Sequence, residues 1–370
     1  MGEGNFQDFV QRTDWRDQTA IEYNDLLTMS TFQLFNFGCR ASQADGAALK
    51  KQLLDAGLRE VVGVDQSCVA VLNTCTVTAS ADAEVRQVVR RIHRSNPGCR
   101  ILVTGCYAQR APEEIAQLPG VKWVVGNSHK HQVAELVSAD LDPKKLSAVP
   151  GAESAALDRE IPSESHGLVQ ILLPLVSREA ASRSDAPPNA SGKNESIAHV
   201  TVGEISEEFH FAPVFSDDRT RPTLKVQDGC GARCSFCIIP TVRGPSRSLP
   251  ADTVIAQIRE LEREGFMEIV LSGINLGSYG RDLGREITFL GLLERILAET
   301  SIERIRISSI EPMDVSEELI RLVARVPRMA LHFHVPLQSG CNRILRQMNR
   351  RYWAGQYAER IQSIRELIPN

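Results

Sequence analysis

From Phe32 onward the polar and apolar positions of the chain change period again and again. Short apolar runs such as Phe32-Gln-Leu34-Phe35-Asn-Phe37 give way to stretches in which apolar residues recur every three or four positions. The first pattern suits a strand and the second one face of a helix. Over residues 31–138 it predicts strands at 31–37, 68–72, 100–104 and 121–125, and helices at 42–56, 79–95, 111–118 and 127–138. Strands and helices in turn argue for an α/β domain, a parallel sheet covered by helices. A second alternation begins at Thr223. It predicts strands near 223–227, 267–271, 304–308 and 331–335, and helices near 251–265, 288–299, 315–325, 341–348 and 355–367. Parallel strands with helical crossovers either wind into an open sheet or curl toward a barrel, and the pattern alone does not choose.

Two segments lack this order. Residues 1–28 carry no strong period and read as an N-terminal extension, so the first domain covers 29–138. Residues 139–215 are polar and rich in turn formers, as in Asp185-Ala-Pro-Pro-Asn-Ala-Ser-Gly, and predict a linker with a disordered insertion. The second domain is then 216–370.

Composition narrows the class of protein. With 42% hydrophobic and 24% charged residues the chain is ordinary globular material, and 370 residues allow two or three domains. No run approaches the roughly 18 apolar residues of a membrane span, and the first residues lack a basic region followed by an apolar one. These features predict a cytoplasmic protein without a membrane partner. Nine cysteines in such a chain argue for metal or redox chemistry over a disulfide scaffold. The net charge of -4 hides an asymmetry: residues 216–370 carry 22 Lys and Arg against 19 Asp and Glu, whereas residues 1–215 carry 20 against 27. Of those 22 basic residues 21 are Arg, the side chain suited to phosphate and base contacts, which permits an RNA partner.

The sharpest local signal is Cys230-Gly-Ala-Arg-Cys234-Ser-Phe-Cys237. Its spacing supplies three thiolates where an iron-sulfur cube is normally held by four. One iron is then left open to a substrate or cofactor, as in catalytic metal sites generally. Three further cysteines, Cys39, Cys75 and Cys106, each lie just past the carboxyl end of a predicted strand. Ligands of open parallel sheets gather at that edge, so these thiols either converge on a ligand or are simply buried. Cys68 and Cys99 precede their strands and read as small buried hydrophobes, and Cys341 as structural.

The segment Val226-Gln-Asp-Gly-Cys230 through Cys237-Ile-Ile-Pro-Thr-Val-Arg-Gly244 resembles the methylthiotransferase branch of the radical S-adenosylmethionine enzymes. Phe37-Gly-Cys39-Arg, Leu72-Asn-Thr-Cys75-Thr-Val-Thr and Val103-Thr-Gly-Cys106-Tyr-Ala-Gln are similar to the three cysteine motifs of that family's N-terminal domain. The resemblance covers about residues 31–138 and 221–370. It implies a Rossmann-like open parallel sheet followed by a partial (β/α) radical barrel, with Cys230, Cys234 and Cys237 catalytic. It also implies two 4Fe-4S clusters, the second on Cys39, Cys75 and Cys106, and S-adenosyl-L-methionine as cofactor. The family's barrel continues with further strands and a small RNA-binding domain, so an incomplete barrel is expected here.

Within the family, Asn73-Thr-Cys75-Thr-Val-Thr78 and Gly273-Ile-Asn-Leu-Gly-Ser-Tyr-Gly280 are most similar to the enzymes that modify threonylcarbamoyladenosine beside the tRNA anticodon. This implies transfer of a methylthio group to C2 of that nucleoside at position 37. The implied partners are the tRNA anticodon loop and a small electron donor such as a flavodoxin or ferredoxin, with the enzyme a monomer. The rivals are the same chemistry on isopentenyladenosine or a ribosomal-protein aspartate, and a truncated non-catalytic iron-sulfur protein. Gly273, Asn275 and Gly277 follow the second barrel strand, Ser309 the third and Gln338 the fourth, and all five are candidates for cofactor binding. Asp228 and Gly229 abut the cluster loop. His332 and His334 read as core histidines. Arg243, Arg247, Arg343, Arg346, Arg350 and Arg351 read either as phosphate contacts or as solvated faces, as do Arg86, Arg90, Arg91 and Arg94.

Overall fold

In the computed structural model, residues 30–141, 198–205, 220–284 and 286–369 are described. The 1–28 extension and most of the 139–215 segment lie outside them.

Strands β1 (Thr31–Asn36), β2 (Arg59–Glu60), β3 (Val69–Thr74), β4 (Arg100–Gly105), β5 (Val121–Val125) and β6 (His199–Thr201) form one parallel sheet in the order β2-β1-β3-β4-β5-β6. The central strand β3 is buried along its whole length, which is why its sequence reads as an unbroken apolar run. Its residues alternate between two cores. Ala70 and Leu72 pack with helix α2 (Ala79–Ser95), which presents Val85, Val88, Val89 and Ile92 at helical spacing. Val69 and Val71 pack on the other face with Leu49 and Leu53 of α1 (Arg40–Asp55). Each fully buried Val or Leu contributes about 1.5–3 kcal/mol, so both faces are firmly covered.

Two sequence expectations are corrected here. The helix expected at 111–118 is the shorter α4 (Pro112–Ala116), and an unexpected helix, α3 (Cys106–Arg110), precedes it; Ala111 before Pro112 takes φ -141°, outside the helical region, and keeps the two apart. The helix expected from 127 begins as a 3-10 turn, Asn127–Gln132, kinked at His129, and becomes α5 only over Val133–Leu141. In addition, His199–Thr201, within the segment read as linker, extends the sheet as β6.

The second half begins with β7 (Thr223–Lys225), followed by a two-stranded ribbon of β8 (Gln227–Asp228) and β9 (Arg247–Ser248). Between these ribbon strands lies helix α6 (Ile239–Arg243). Strands β10 (Glu268–Ser272) and β11 (Arg304–Ile307) complete a parallel sheet in the order β11-β10-β7. Leu224, Ile269, Leu271, Ile305 and Ile307 share one core with α7 (Ala251–Arg263), α8 (Phe289–Glu299) and α9 (Glu317–Arg325). Lys225, Glu268, Ser272, Arg306 and Ser308 alternate with them and occupy the opposite face, as a half-barrel requires. Helices α10 (Asn342–Gln347) and α11 (Ala354–Leu367) follow.

The strand expected at 331–335 does not form. Only isolated bridges join Ile305 to Met329 and Ser309 to His334. Between them the His332 amide donates to the Ala330 carbonyl at 2.7 Å, a tight turn that lifts the chain off β11.

Candidate functional site

Cys39, Cys75 and Cys106 follow β1, β3 and β4, three adjacent strands, at their carboxyl ends. Two glycines make the approach possible. Gly38 sits at φ +102°, and a Cβ there would lie 2.5 Å from Cys75 Cβ and 2.9 Å from its sulfur. Gly105, also at φ +102°, would place a Cβ 2.4 Å from the Thr74 carbonyl. Neither position admits a side chain. Cys75 and Cys106 are buried, Cys39 is exposed at the start of α1, and all three are free thiols. Burial pushes the Cys75 thiol up against a bond from the Val77 amide, and the neighbouring charges of Cys106 and Cys39 push it further.

Cys230, Cys234 and Cys237 all line one cavity of about 690 Å³ with Asn275, Glu311 and Arg350. Their loop is tied down at both ends. The Cys230 amide donates to the Gly244 carbonyl at 3.0 Å, and Gly229, at φ +70°, passes so close to Pro245 that a Cβ would meet its carbonyl at 1.9 Å. At the far side Ser235 Oγ donates to the Gln347 carbonyl and Asn349 Nδ2 to the Arg233 carbonyl. Gln227 links loop to cavity wall: its Nε2 donates to the Gly229 carbonyl while its Oε1 accepts from the Asn275 amide. Burial raises the Cys234 thiol, opposed by Arg350, which pairs with Glu311 at 2.8 Å and lies over the Phe236 ring.

Between the two sets runs a buried ion network that spacing did not reveal. Asp45 of α1 pairs with Lys130, Lys225 and Arg243; Asp228 pairs with Lys225 at 2.9 Å and Arg243 at 2.9 Å, and lies 3.8 Å from Arg247. Four cations therefore face two carboxylates. Burial alone would raise Asp45 and Asp228, but the cations overcome it and hold both below the ordinary carboxylate range. Burial works against the Arg243 charge as well, yet Asp228, Cys106, Asp45 and Cys39 keep it firmly protonated. The positive surplus thus lies against the first cysteine set. Asn127 adds a direct link, donating through Nδ2 to Cys106 sulfur at 3.5 Å and to the Val242 carbonyl at 2.8 Å.

Several expectations change. Arg243 and Arg247 are buried in this network and cannot meet phosphates, whereas Arg343, Arg346 and Arg351 are exposed, as are Arg90, Arg91 and Arg94. Cys99 is buried as expected, but Cys68 is exposed, its sulfur accepting from Thr31 Oγ1. His332 and His334 are exposed, not core; His334 Nδ1 bonds Ser309 Oγ at 2.6 Å. Of the five cofactor candidates only Asn275 lines the cavity with the cysteines. Gly273 packs on Gln227 and Gly277 on the Asp314 carboxylate, while Gln338 is exposed at φ +64°.

The donor chemistry suits the cofactors that the resemblance implies. Among the described residues no group of His, Cys, Asp or Glu is arranged to hold a single metal ion. A cube of irons and sulfides holds its thiolates farther apart than one ion does, and three per site leave one iron free. Asn275 Oδ1 is buried without a hydrogen-bond partner at the wall of the cavity, an acceptor left for a ligand. No described helix is long and apolar enough to cross a membrane.

Residues 31–126 match the family described as Uncharacterized protein family UPF0004, and residues 224–370 match the Radical SAM superfamily. The threonylcarbamoyladenosine tRNA methylthiotransferase MtaB of Bacillus subtilis (strain 168) is 32% identical over 342 residues, covering 92% of this chain and 65% of its own. Its counterpart from Aquifex aeolicus (strain VF5) is 33% identical over 335 residues, 90% of this chain and 68% of its own. A tRNA-2-methylthio-N(6)-dimethylallyladenosine synthase from Pelotomaculum thermopropionicum is 30% identical, with 92% and 66% covered. The chain thus spans about two thirds of the length of these relatives. The solved structure of the radical S-adenosylmethionine methyltransferase TsrM from Kitasatospora setae, with tryptophan and a SAM analog bound, matches at a TM-score of 0.54 and 14% identity. That match covers 91% of this chain and 65% of TsrM, and shows a shared fold.

Proposed function

The chain belongs to the MtaB-type radical SAM methylthiotransferase family, and on that premise we propose that it transfers a methylthio group to C2 of N6-threonylcarbamoyladenosine at position 37 of tRNA. The observation that carries this reading is the pair of three-cysteine sets built on either side of one buried ion network. Cys230, Cys234 and Cys237 would hold one 4Fe-4S cluster, and Cys39, Cys75 and Cys106 a second. When bound with S-adenosylmethionine, such clusters supply one-electron chemistry at a carbon too inert for acid-base groups.

The chain's own residues bind, orient and exclude water. Asn275, Glu311 and Arg350 offer the cavity an open acceptor, a carboxylate and a guanidinium, a set suited to the ammonium and carboxylate of an amino acid. Burial of Cys75 and Cys106 leaves Cys39 as the exposed corner of its set, where a substrate can arrive. The tRNA anticodon loop suits such a site because its bases can be splayed out and stacked. Electrons would come from a small donor protein such as a flavodoxin or ferredoxin.

Anaerobic reconstitution tests the two clusters. About eight irons per chain are expected, and about half that in a triple Ala variant of either cysteine set. Nucleoside mass spectrometry of tRNA from a strain whose only source of the activity is this protein tests the substrate. Full iron in either triple variant, or threonylcarbamoyladenosine left without a methylthio group, sinks the reading.

A further inference from the structure

A second cavity, of about 390 Å³, opens between the first turn of α1 and the polar face of the half-barrel. Arg40, Gln43, Arg221, Thr223, Val270 and Arg306 line it. Glu268 accepts from Arg306 Nε at 2.9 Å and lies 3.8 Å from Arg221, whereas Arg40 has no carboxylate within ion-pair distance among the described residues. Three guanidiniums therefore meet one carboxylate. Arg40 directly follows Cys39, so this basic cavity adjoins the first cysteine set. Burial, and after it the charges of Arg306 and Arg40, hold the His332 imidazole below its ordinary range.

We infer that this cavity binds the carboxylate of the threonylcarbamoyl group, and that it is where the chain distinguishes its nucleoside from one with an uncharged N6 substituent. The inference rests on the function proposed above. A guanidinium matches a carboxylate in shape and charge, and can bond it through two parallel N–H groups. Thr223 and Gln43 add polar groups for the hydroxyl and urea of the same arm. The volume falls within the range of small-molecule sites. A dimethylallyl arm would bury the guanidiniums against hydrocarbon, the kind of mismatch that rejects a substrate strongly.

Position supports the assignment. The sheet register sets Thr223, Val270 and Arg306 in one row of the polar face, and Arg40 carries the cavity to the residue beside Cys39. C2 and N6 flank N1 on one edge of adenine, so a base that offers C2 beside Cys39 brings its N6 arm into the same neighbourhood.

An RNA phosphate shares the anionic chemistry, so the test separates the two. Binding to the reconstituted protein is measured for the free nucleoside acid, its methyl ester and adenosine 5′-monophosphate. The wild type is expected to bind the acid at least about tenfold tighter than the ester. Arg40→Gln and Arg306→Gln should bring the acid to the level of the ester and leave the ester unchanged, while Arg40→Lys keeps most of the preference. Arg40 lies on an exposed turn, so if Arg306→Gln misfolds, Arg40→Gln with an unchanged iron load decides alone. Variants that retain the preference for the acid overturn the inference, as do a wild type that binds acid and ester equally and a parallel loss of the monophosphate. Methylthiolation of tRNA by the same wild-type preparation keeps the two readings apart: activity without acid preference removes the carboxylate site and leaves the reaction standing.

Discussion

The two cysteine sets differ in what holds them. Cys230, Cys234 and Cys237 ride on one loop, stapled by the Gly244, Gln347 and Arg233 carbonyls, and all three stay partly exposed around a wide cavity. Cys39, Cys75 and Cys106 come from three strands of a sheet, two of them buried, with a surplus of cations behind them. A local loop can be written in eight residues; a site assembled from three strands depends on the whole sheet and on the half-barrel that supplies Lys225 and Arg243. If this contrast is right, damage to the loop should stay local, whereas damage to the ion network should spread.

The largest effect is expected at the network. Asp45→Ala leaves Lys225 and Arg243 only Asp228 and takes from Lys130 its carboxylate, and removal of one partner of a buried pair costs about 3–5 kcal/mol. Urea unfolding followed at both halves should show a common loss. The Asp45 carboxyl is held below its unfolded value, so its contribution is present above about pH 4 and fades as pH falls through the folded value. The wild type should therefore lose stability below pH 4 more steeply than the variant does. An Asp45→Ala protein as stable as wild type at pH 7 would break the contrast outright.

Glycines give the next test. Gly38→Ala presses a Cβ onto Cys75, and Gly229→Ala onto the Pro245 carbonyl, both at positive φ. Each should cost about 1–3 kcal/mol locally and remove about half of the iron, from a different set in each case. Loss of all the iron in either variant would mean that the sets assemble as one.

The smallest effect is electronic. Asn127→Leu removes the N–H donor to Cys106 sulfur, and hydrogen bonds to cluster sulfurs help to set reduction potentials. An N–H donor favours the more negative, reduced form, so the potential of the cluster proposed on Cys39, Cys75 and Cys106 should fall while that of the cluster proposed on Cys230, Cys234 and Cys237 stays put. Equal shifts of both potentials would show that Asn127 acts through the shared network.

Much of the architecture could be read from periodicity, because β3, β4 and β5 are buried on both faces and α2 carries a clean apolar stripe. The breaks escaped for physical reasons. The five-residue helix Cys106–Arg110 is too short to show a period of its own, and the turn at Ala330–His332 prevents a strand whose composition is adequate. β6 is three residues long and pairs with a strand far back in the chain. The cysteines were legible, but Asp45 and its partners lie 85 to 198 residues apart and leave no local spacing to notice. One signal was present: Lys225, the single lysine among the basic residues of 216–370, interrupts the apolar strand Thr-Leu-Lys-Val. A charge in such a strand calls for a buried partner.

Those separations also set a schedule. The bond from Arg243 to Asp45 spans 198 residues, and the one from Lys225 spans 180. A ribosome adding about 5–20 residues per second delivers Arg243 roughly 10–40 s after Asp45. Until Lys225 emerges, shortly before Arg243, the nascent first sheet has only Lys130 of these cations with which to neutralise a carboxylate destined for its interior. Its final form therefore waits on translation of the second half, and the first 141 residues released alone would lack two of the three cations that Asp45 requires.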